Sequence, residues 1–321
     1  MNPLFILLGG DGYYGRNFQF YLSELDISFI VIDVRDCDEN FYAMFPIANH
    51  LIRYIRFDLN NEMTDDWLKN EAIINGIENS IIVNFAAISF VDYSIDNPNK
   101  TIVNNVKCCE NGLKLFKKGA KKFIHISTDE VNAMKPEHEL SPYIISKKKC
   151  EDLCMMVNKE KEYQGKVKII RPVNLMDVIN NKFHGLNQRN PCLLKKISEL
   201  NKGGLIEIHG SGNQMRMFMT MRNACDLLFN VALANLGPDK DLFDVVETPS
   251  LRTCDIKIRD LVQYIAKVFG FKYLFVNDPR GKFQDMTYCV KKREIYSYYS
   301  TSRDCVKIVE SVKRMRNSIF N

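Results

Sequence analysis

The sequence predicts an α/β fold in which a doubly wound parallel sheet is joined to a smaller C-terminal α/β lobe. Short apolar runs alternate with longer amphipathic segments through the first half of the 321 residues, which is the pattern of βαβ units. After Arg171 the chain becomes rich in Asn and turn-forming residues, which indicates a change of architecture. We therefore predict one domain over 1–172, to which 218–248 return, and a second lobe over 173–321.

The predicted elements follow from where these runs begin and end. Near-continuous apolar runs bounded by turn formers indicate buried parallel strands, and they occur at 4–8, 29–32, 51–56, 81–85, 122–127 and 167–171. Helical periodicity predicts helices at 16–25, 102–118, 143–163 and 255–269, with a basic amphipathic tail at 304–316. The segment GGLIEIHGSGNQMR, 203–216, is predicted to be a hairpin-like loop region.

Composition excludes several classes of partner. Apolar residues make up 46% of the chain and charged residues 26%, which is ordinary for a globular protein. The net charge of +5 is small and spread along the chain, so no nucleic-acid partner is predicted. The apolar opening PLFILLGGDG stops at glycines, well short of the roughly 18 residues of a spanning helix. We predict a buried strand there and no membrane partner.

The 10 cysteines are scattered, and they form neither a CxxC pair nor a Cys/His cluster with zinc spacing. We therefore predict no metal site. In the absence of a signal peptide, the cysteines are expected to be reduced thiols of a cytoplasmic protein.

The segment LLGGDGYYG predicts a dinucleotide-binding turn. Gly9, Gly12 and Gly15 directly follow the first strand and precede a helix, where glycine lets the backbone approach a pyrophosphate at a helix N-terminus. Asp33 ends the second strand, where an acid accepts hydrogen bonds from the adenosine ribose. Because this carboxylate repels a 2′-phosphate, NAD is predicted over NADP, and Arg35 softens that preference.

We therefore predict a Rossmann-type NAD site, against the alternative of a glycine-rich turn that binds nothing. Asp58 is placed near the adenine, and the small residues of NFAAIS allow the chain to pass close to a dinucleotide. The full set of predicted cofactor-binding residues is Gly9, Gly12, Tyr13, Tyr14, Gly15, Asp33, Asp58, Leu59, Phe85, Ala86, Ala87, Asn105, Tyr143 and Lys147.

Tyr143 and Lys147 stand four residues apart, which places them on one face of a helix. A phenol is a poor base at neutral pH, and a neighbouring cation together with a positively charged nicotinamide would lower its pKa. Such a pair removes a proton from a carbinol while hydride leaves to NAD. The segment STDEV, 127–131, just ahead of them also fits a helix-capping box, which is the alternative interpretation of its acids.

Together these motifs resemble the extended short-chain dehydrogenase/reductase family of nucleotide-sugar enzymes. The resemblance covers nearly the whole chain, from GxxGxxG through AAISFVDYSIDNP, YxxxK and RPVN to GSGNQMR. Within that family STDEV resembles the motif of the nucleotide-sugar 4,6-dehydratases, which are lyases. The resemblance implies that Asp129 is the acid for O6, that Glu130 is the base at C5, and that Thr128 holds the O4 region with Tyr143.

The resemblance also implies a substrate site and an assembly. Ser89, Asn174, Arg216 and Arg280, together with Thr128, are the expected substrate-binding residues for a UDP- or dTDP-linked hexose. Family members commonly dimerise through the helices that correspond to 102–118 and 143–163, so a homodimer is expected. The sequence departs from the family at Asn132, at NLMDV (174–178) and at Thr287. The identity of the substrate, glucose or N-acetylglucosamine, therefore stays open.

Three other functions are compatible with the sequence. The first is a 4,6-dehydratase that also inverts C5, and the second is a 4-epimerase or decarboxylase on the same scaffold. Neither an epimerase nor a decarboxylase needs the adjacent acids Asp129 and Glu130. The third is a sensor that binds NAD or a nucleotide sugar without turnover.

Overall fold

The computed structural model describes residues 3–39, 41–45, 47–71, 73, 76–132, 136–176, 179, 205–234, 244–247 and 254–277. The chain divides into two compact units. Unit 1 comprises Met1–Val131, Ser141–Arg171 and Cys225–Glu247. Unit 2 comprises Asn132–Leu140, Pro172–Ala224 and Thr248–Asn321.

Strands and helices alternate through the first half of the chain. The strands are β1 (Leu4–Leu8), β2 (Phe29–Asp33), β3 (Ile52–Arg56), β4 (Ser80–Asn84), β5 (Lys122–Ile126), β6 (Val167–Arg171), β7 (Asn174–Met176), β8 (Leu205–His209), β9 (Met215–Thr220), β10 (Val245–Glu247), β11 (Cys254–Lys257) and β12 (Lys272–Val276). The helices are α1 (Tyr13–Glu24), α2 (Asp65–Asn70), α3 (Val91–Asp96), α4 (Pro98–Phe116), α5 (Pro142–Lys159), α6 (Met221–Leu233) and α7 (Ile258–Phe269).

Unit 1 is built on a parallel sheet that, in the described ranges, has the strand order β10-β6-β5-β4-β1-β2-β3. The six strands predicted for the first half of the chain are all present, each within one residue of its predicted ends. The strand order reverses at the neighbours β1 and β4. In open α/β sheets ligands bind outside the carboxyl ends of the strands at such a reversal.

The core of unit 1 lies between this sheet and the helices that cover it. Every residue of β2, β4 and β5 is buried, which explains why these strands are nearly continuous apolar runs. Leu113 and Phe116 of α4 and Cys154 of α5 belong to the same buried cluster as Phe123 of β5. The long helices are thereby fixed against the strand that leads into the predicted catalytic segment.

Proline and serine set the N-termini of the long helices. α4 begins at Pro98, where the missing N–H costs nothing. α5 begins at Pro142, and the Ser141 side chain caps it by accepting a hydrogen bond from the Ile144 N–H. α5 ends at Lys159, earlier than predicted, because Glu160 has an extended backbone with ψ 127°.

Unit 2 contains two small sheets in the part of the chain that the structure describes. One has the order β11-β9-β7, and in the other β8 pairs with β12. The hairpin predicted over 203–216 is wrong, because β8 and β9 belong to different sheets. The turn between them is set by Gly212, whose φ is 71° and whose Cβ would meet the Phe275 ring at 2.5 Å.

The helix predicted over 255–269 is wrong at its start. Cys254–Lys257 forms β11, whose backbone pairs antiparallel with β9, and the helix begins at Ile258. The helix ends as predicted at Phe269, before Gly270 with φ 70°. No helix within the described ranges combines the length and apolarity needed to cross a membrane. The predicted tail 304–316, Thr287 and Arg280 lie outside the described residues.

Candidate active site

The glycine turn after β1 is shaped by close contact with the chain that follows β4. Gly9 has a φ of 65°, and a Cβ there would stand 2.5 Å from the Cα of Ala86. A Cβ on Gly15 would collide with the backbone of Gly10. By contrast, a Cβ on Gly12 would meet only the Gly9 carbonyl oxygen, at 3.4 Å. Gly9 and Gly15 allow the turn to fold, and Gly12 leaves space beside the backbone for a ligand.

The N-terminus of α1 has the properties of an anion site. The helix begins at Tyr13, its N-cap residue Gly12 offers no side chain, and its first turn contains no acid. Its N–H groups and the positive end of its dipole can therefore face a pyrophosphate. The Tyr14 side chain is buried against the Phe85 ring, 5.2 Å between centroids, and burial raises the pKa of its phenol. Contact of Tyr14 with a cofactor stays a prediction.

Asp33 links the glycine turn to the end of β2. The side chain is 5% exposed. Its Oδ2 accepts a hydrogen bond from the Asp11 N–H over 2.9 Å, and its Oδ1 accepts one from the Arg35 N–H over 3.1 Å. These two bonds fix the carboxylate at the carboxyl edge of the sheet, where a ribose would bind.

Asn105 of α4 braces the loop that follows β4. Its side chain accepts a hydrogen bond from the Ile88 N–H and donates to the Ile88 carbonyl and to the Ser146 hydroxyl. Asn104 donates a further bond to its oxygen. These bonds use the whole capacity of the amide, so the structure gives Asn105 a positioning role. Direct contact of Asn105, Phe85, Ala86 and Ala87 with a cofactor stays a prediction.

The loop after β3 is held in a similar way. Asp58 Oδ1 accepts two hydrogen bonds from Asn60, from its N–H and its side-chain amide, each over 2.9 Å. Leu59 is buried, and its carbonyl accepts from the Asn111 side chain over 2.7 Å. Asp58 and Leu59 therefore have fixed positions at the same sheet edge, where their contact with adenine is predicted.

The catalytic segment predicted at the end of β5 is folded as a short 3-10 turn. Thr128 and Asp129 are each 8% exposed, and Glu130 is partly buried. The Glu130 N–H donates to the Thr128 hydroxyl over 3.3 Å. The alternative interpretation, an exposed acidic cap, does not fit, because Asp129 is buried and Ser141 caps the following long helix.

Tyr143 and Lys147 share one face of α5, as their spacing predicts. The Lys147 ammonium donates to the Ile126 carbonyl at the end of β5 over 2.7 Å. It lies 5.9 Å from the centroid of the Tyr143 ring. The lysine is therefore anchored to the strand end beside the phenol, and burial lowers its pKa.

The structure brings Tyr143 together with all three residues of the catalytic segment. Its hydroxyl and the Thr128 side chain share a hydrogen bond, which lowers the pKa of the phenol. Burial, then the carboxylates of Glu130 and Asp129, raise that pKa, and the net effect is a rise above the usual value. In the protein without its cofactor the pKa of the phenol is therefore raised, and the lowering expected from Lys147 together with a charged nicotinamide stays a prediction.

Sequence reasoning missed a buried ionic group behind the catalytic segment. The Ser127 hydroxyl donates to Glu151 Oε1 over 2.5 Å, and Arg171 Nε donates to the same oxygen over 2.9 Å. Glu151 continues the face of α5 that carries Tyr143 and Lys147, so an acid four residues after the lysine was the available signal. This group ties the ends of β5 and β6 to α5.

The structure also assembles a cluster that the cysteine spacing did not predict. The ligand atoms of Cys109, His125 and Cys154, all buried, lie within 4.8 Å of one another. Burial lowers the pKa of His125 well below its usual value. The sequence shows no zinc spacing at these residues, and the prediction of no metal site stays a prediction. The three residues come from α4, β5 and α5, so no local spacing could reveal them.

The predicted substrate residues fall in three places. Ser89 is exposed in the loop after β4 of unit 1. In unit 2, Asn174 donates from its side chain to the Met217 carbonyl over 3.1 Å, and Arg216 pairs with Ile256 across β9 and β11. Arg280 lies outside the described residues. Contact of these residues with a substrate stays a prediction.

A family model described as "NAD dependent epimerase/dehydratase family" matches residues 5–245. The chain belongs to this family. The match confirms the expected family and its cofactor, NAD. That dinucleotide fits the site formed by the glycine turn, the uncapped N-terminus of α1 and Asp33. The family name covers both epimerases and dehydratases, so membership alone does not choose between them.

Known proteins similar to this chain include members with several activities. The low-salt glycan biosynthesis protein Agl12 of Haloferax volcanii is 25% identical over 268 residues, covering 78% of this chain and 80% of that protein. The structure of DesIV, a dTDP-glucose 4,6-dehydratase from Streptomyces venezuelae with NAD bound, matches with TM-score 0.70, 19% identity and coverage of 98% and 97%. A UDP-glucose 4-epimerase from Thermotoga maritima matches with TM-score 0.72, 17% identity and coverage of 98% and 99%. These likenesses of fold confirm the predicted Rossmann-type architecture.

Proposed function

We propose that this chain is an NAD-dependent nucleotide-sugar 4,6-dehydratase. It would convert a UDP- or dTDP-linked hexose of the glucose series, with a hydroxyl or an N-acetyl group at C2, to its 4-keto-6-deoxy product. The observation that carries the proposal is the proximity of two carboxyl groups to the phenol, because Glu130 and Asp129 both act on the pKa of Tyr143. An epimerase or a decarboxylase needs the phenol and lysine but has no use for this pair of acids.

The chain's own residues divide the reaction into proton transfers. Tyr143, hydrogen bonded to Thr128, is placed to take the proton of the C4 hydroxyl as C4 becomes a ketone. Bound NAD supplies the chemistry of that oxidation, as a hydride acceptor from C4 and later, once reduced, a hydride donor to C6. A C4 ketone makes the C5 proton acidic, so Glu130 is assigned its removal. Asp129 is assigned protonation of the C6 hydroxyl, which then leaves as water.

Burial supports the division of roles between the two acids. Asp129 is 8% exposed, and the more buried of the two carboxyl groups is the one assigned as the acid for the leaving hydroxyl. Glu130 is more exposed than Asp129 and is assigned as the base at C5. The two groups belong to adjacent residues of a turn whose position is fixed by β5.

Product analysis tests the proposal directly. The purified protein is incubated with NAD and, separately, with UDP-glucose, dTDP-glucose and UDP-N-acetylglucosamine, and the products are analysed by mass spectrometry. We expect loss of one water from one of these substrates and, in deuterated water, one deuterium at C5. If none of them loses water, the dehydratase proposal is wrong.

The double variant Asp129→Asn/Glu130→Gln separates the dehydratase from the second candidate, a 4-epimerase or decarboxylase. This second candidate is favoured by the fold likeness to a UDP-glucose 4-epimerase. We expect the double variant to retain NAD binding and to lose elimination by at least about 10²-fold, the usual contribution of general acid–base catalysis. Turnover to a C4 epimer that survives the double change would establish the second candidate. The stereochemistry at C5 follows from NMR of the product.

We also propose that the protein is a homodimer formed through α4 and α5. The supporting observation is that these helices carry large apolar side chains in water, namely Val103, which is 65% exposed, and Met156, also 65% exposed.

A further inference from the structure

The ribose edge of the predicted NAD site carries a pair of charges that the family resemblance did not assign. Asp11 lies inside the glycine turn, between Gly10 and Gly12, and its side chain is 0% exposed. Its N–H donates to Asp33, so Asp11 is in direct contact with the residue that marks the ribose position. A fully buried carboxylate requires cationic partners.

Two arginines supply those partners. Arg16, in the first turns of α1, is ion-paired with Asp11, and its side chain is 2% exposed. Arg35, two residues beyond Asp33, donates from Nη1 to the Asp11 carbonyl over 2.8 Å, and the same nitrogen lies 3.8 Å from the carboxylate. The Arg35 side chain is 46% exposed, so its guanidinium lies at the surface rim of the turn.

The position of Arg35 bears on the choice between the two nicotinamide dinucleotides. In dinucleotide-binding folds an arginine near the end of the second strand binds the 2′-phosphate of NADP. Arginine forms strong, often bidentate hydrogen bonds with phosphate oxygens. Here that guanidinium donates to the Asp11 carbonyl, and the Asp11 carboxylate, 3.8 Å away and also paired with Arg16, partly offsets its charge. A 2′-phosphate would meet the carboxylate of Asp33 beside a guanidinium whose charge is partly cancelled by the Asp11 carboxylate.

We propose that Asp11 is a specificity-determining residue that secures the preference for NAD, because its carboxylate offsets the charge of Arg35 at the ribose edge. Asp33 alone repels a 2′-phosphate, but a mobile arginine two residues away would offset that repulsion. The Asp11 carboxylate, 3.8 Å from the Arg35 guanidinium, weakens the attraction of that arginine for a 2′-phosphate. The inference deepens the cofactor part of the proposed function, and it rests on NAD binding and not on the dehydratase reaction.

Calorimetric titration of the cofactor-free protein with NAD and with NADP tests this inference without any turnover. The measured quantity is the ratio of the two dissociation constants. In Asp11→Asn, which keeps the shape of the side chain and removes its charge, we expect the ratio to move toward NADP by about tenfold. Arg35→Met alone is expected to change the ratio by less than about fivefold, because the guanidinium is already engaged.

The double variant Asp11→Asn/Arg35→Met shows whether the gain in NADP affinity depends on Arg35. We expect the double variant to have the same ratio of dissociation constants as Arg35→Met. If Asp11→Asn fails to fold because Arg16 loses its partner, Asp11→Asn/Arg16→Met removes the buried cation as well and is titrated instead. The inference is overturned by a folded Asp11 variant whose ratio stays within fivefold of wild type. It is equally overturned if the gain persists without Arg35, or if Arg35→Met alone weakens NADP more than fivefold relative to NAD. Loss of dehydratase activity would bear on neither result.

Discussion

The buried group of Ser127, Glu151 and Arg171 holds the start of the catalytic segment. The variant Glu151→Leu measures how much this group contributes to the free energy of unfolding. The substitution removes the acceptor of the Ser127 hydroxyl and of the Arg171 guanidinium. The Glu151 and Arg171 side chains are 9% and 18% exposed, so the pair is not a surface ion pair of about 0–1 kcal/mol. Breaking a buried pair from one side costs about 3–5 kcal/mol. Because Arg171 keeps some access to water, we expect the lower end, about 3 kcal/mol.

Equilibrium urea unfolding of the wild type, Glu151→Leu, Arg171→Met and the double variant measures this cost. The double variant leaves no unpaired charge, so we expect it to recover at least half of the stability that Glu151→Leu loses. The matched control is Glu160→Gln, which breaks the exposed Lys117–Glu160 pair and should cost less than about 1 kcal/mol. A Glu151→Leu variant as stable as this control, or a double variant that loses the full sum, would refute the reasoning.

Three further predictions follow from the described geometry. Gly9 has φ 65° and its Cβ would clash with the Ala86 backbone, so Gly9→Ala should abolish NAD binding in calorimetry. The control Gly76→Ala, at φ 103° with nothing within 4 Å, should bind NAD normally. Equal NAD binding by the two variants would contradict the role given to the close contact between Gly9 and Ala86. Glu130→Gln removes a negative charge beside Tyr143, so the phenol should ionise at lower pH. Absorbance titrations, with Tyr143→Phe as the reference, measure this change. An unchanged titration would show that the Glu130 carboxylate does not lie near the phenol. Light scattering should show a dimer that Val103→Glu dissociates, and a monomeric wild type would exclude the proposed interface.

The sheet of unit 1 could be predicted closely because buried parallel strands are apolar on both faces. The apolar run 167–171 predicted both ends of β6 correctly, from the local sequence alone. The strands β8 and β9 could not be placed in the same way. β8 pairs with β12, more than 60 residues later, and that pairing depends on register between distant segments. Local turn chemistry at Gly210 and Gly212 therefore suggested a hairpin that does not form.

The site shows the same division between local and distant information. Spacing along α5 predicted that Tyr143 and Lys147 share a face, because an α-helix repeats every 3.6 residues. Spacing could not show that Lys147 donates to the Ile126 carbonyl, since this bond joins a helix to a strand. The Cys109 and His125 contact was invisible for the same reason. The sequence therefore identified which groups are present but not the contacts that they make between elements.

These contacts have a consequence for the order of events in the proposed reaction. The two carboxyl groups that the proposed elimination requires are the same groups that raise the pKa of Tyr143, while the Lys147 ammonium donates to the Ile126 carbonyl and lies 5.9 Å from the centroid of the phenol ring. At neutral pH the phenol therefore stays protonated in the protein alone. A second positive charge next to the phenol, in addition to Lys147, would lower its pKa and favour its action as a base, and oxidised NAD carries such a charge. In the proposed reaction, removal of the proton from the C4 hydroxyl would thereby be restricted to molecules that hold the cofactor in its oxidised form, so that the substrate is not deprotonated when no hydride acceptor is present.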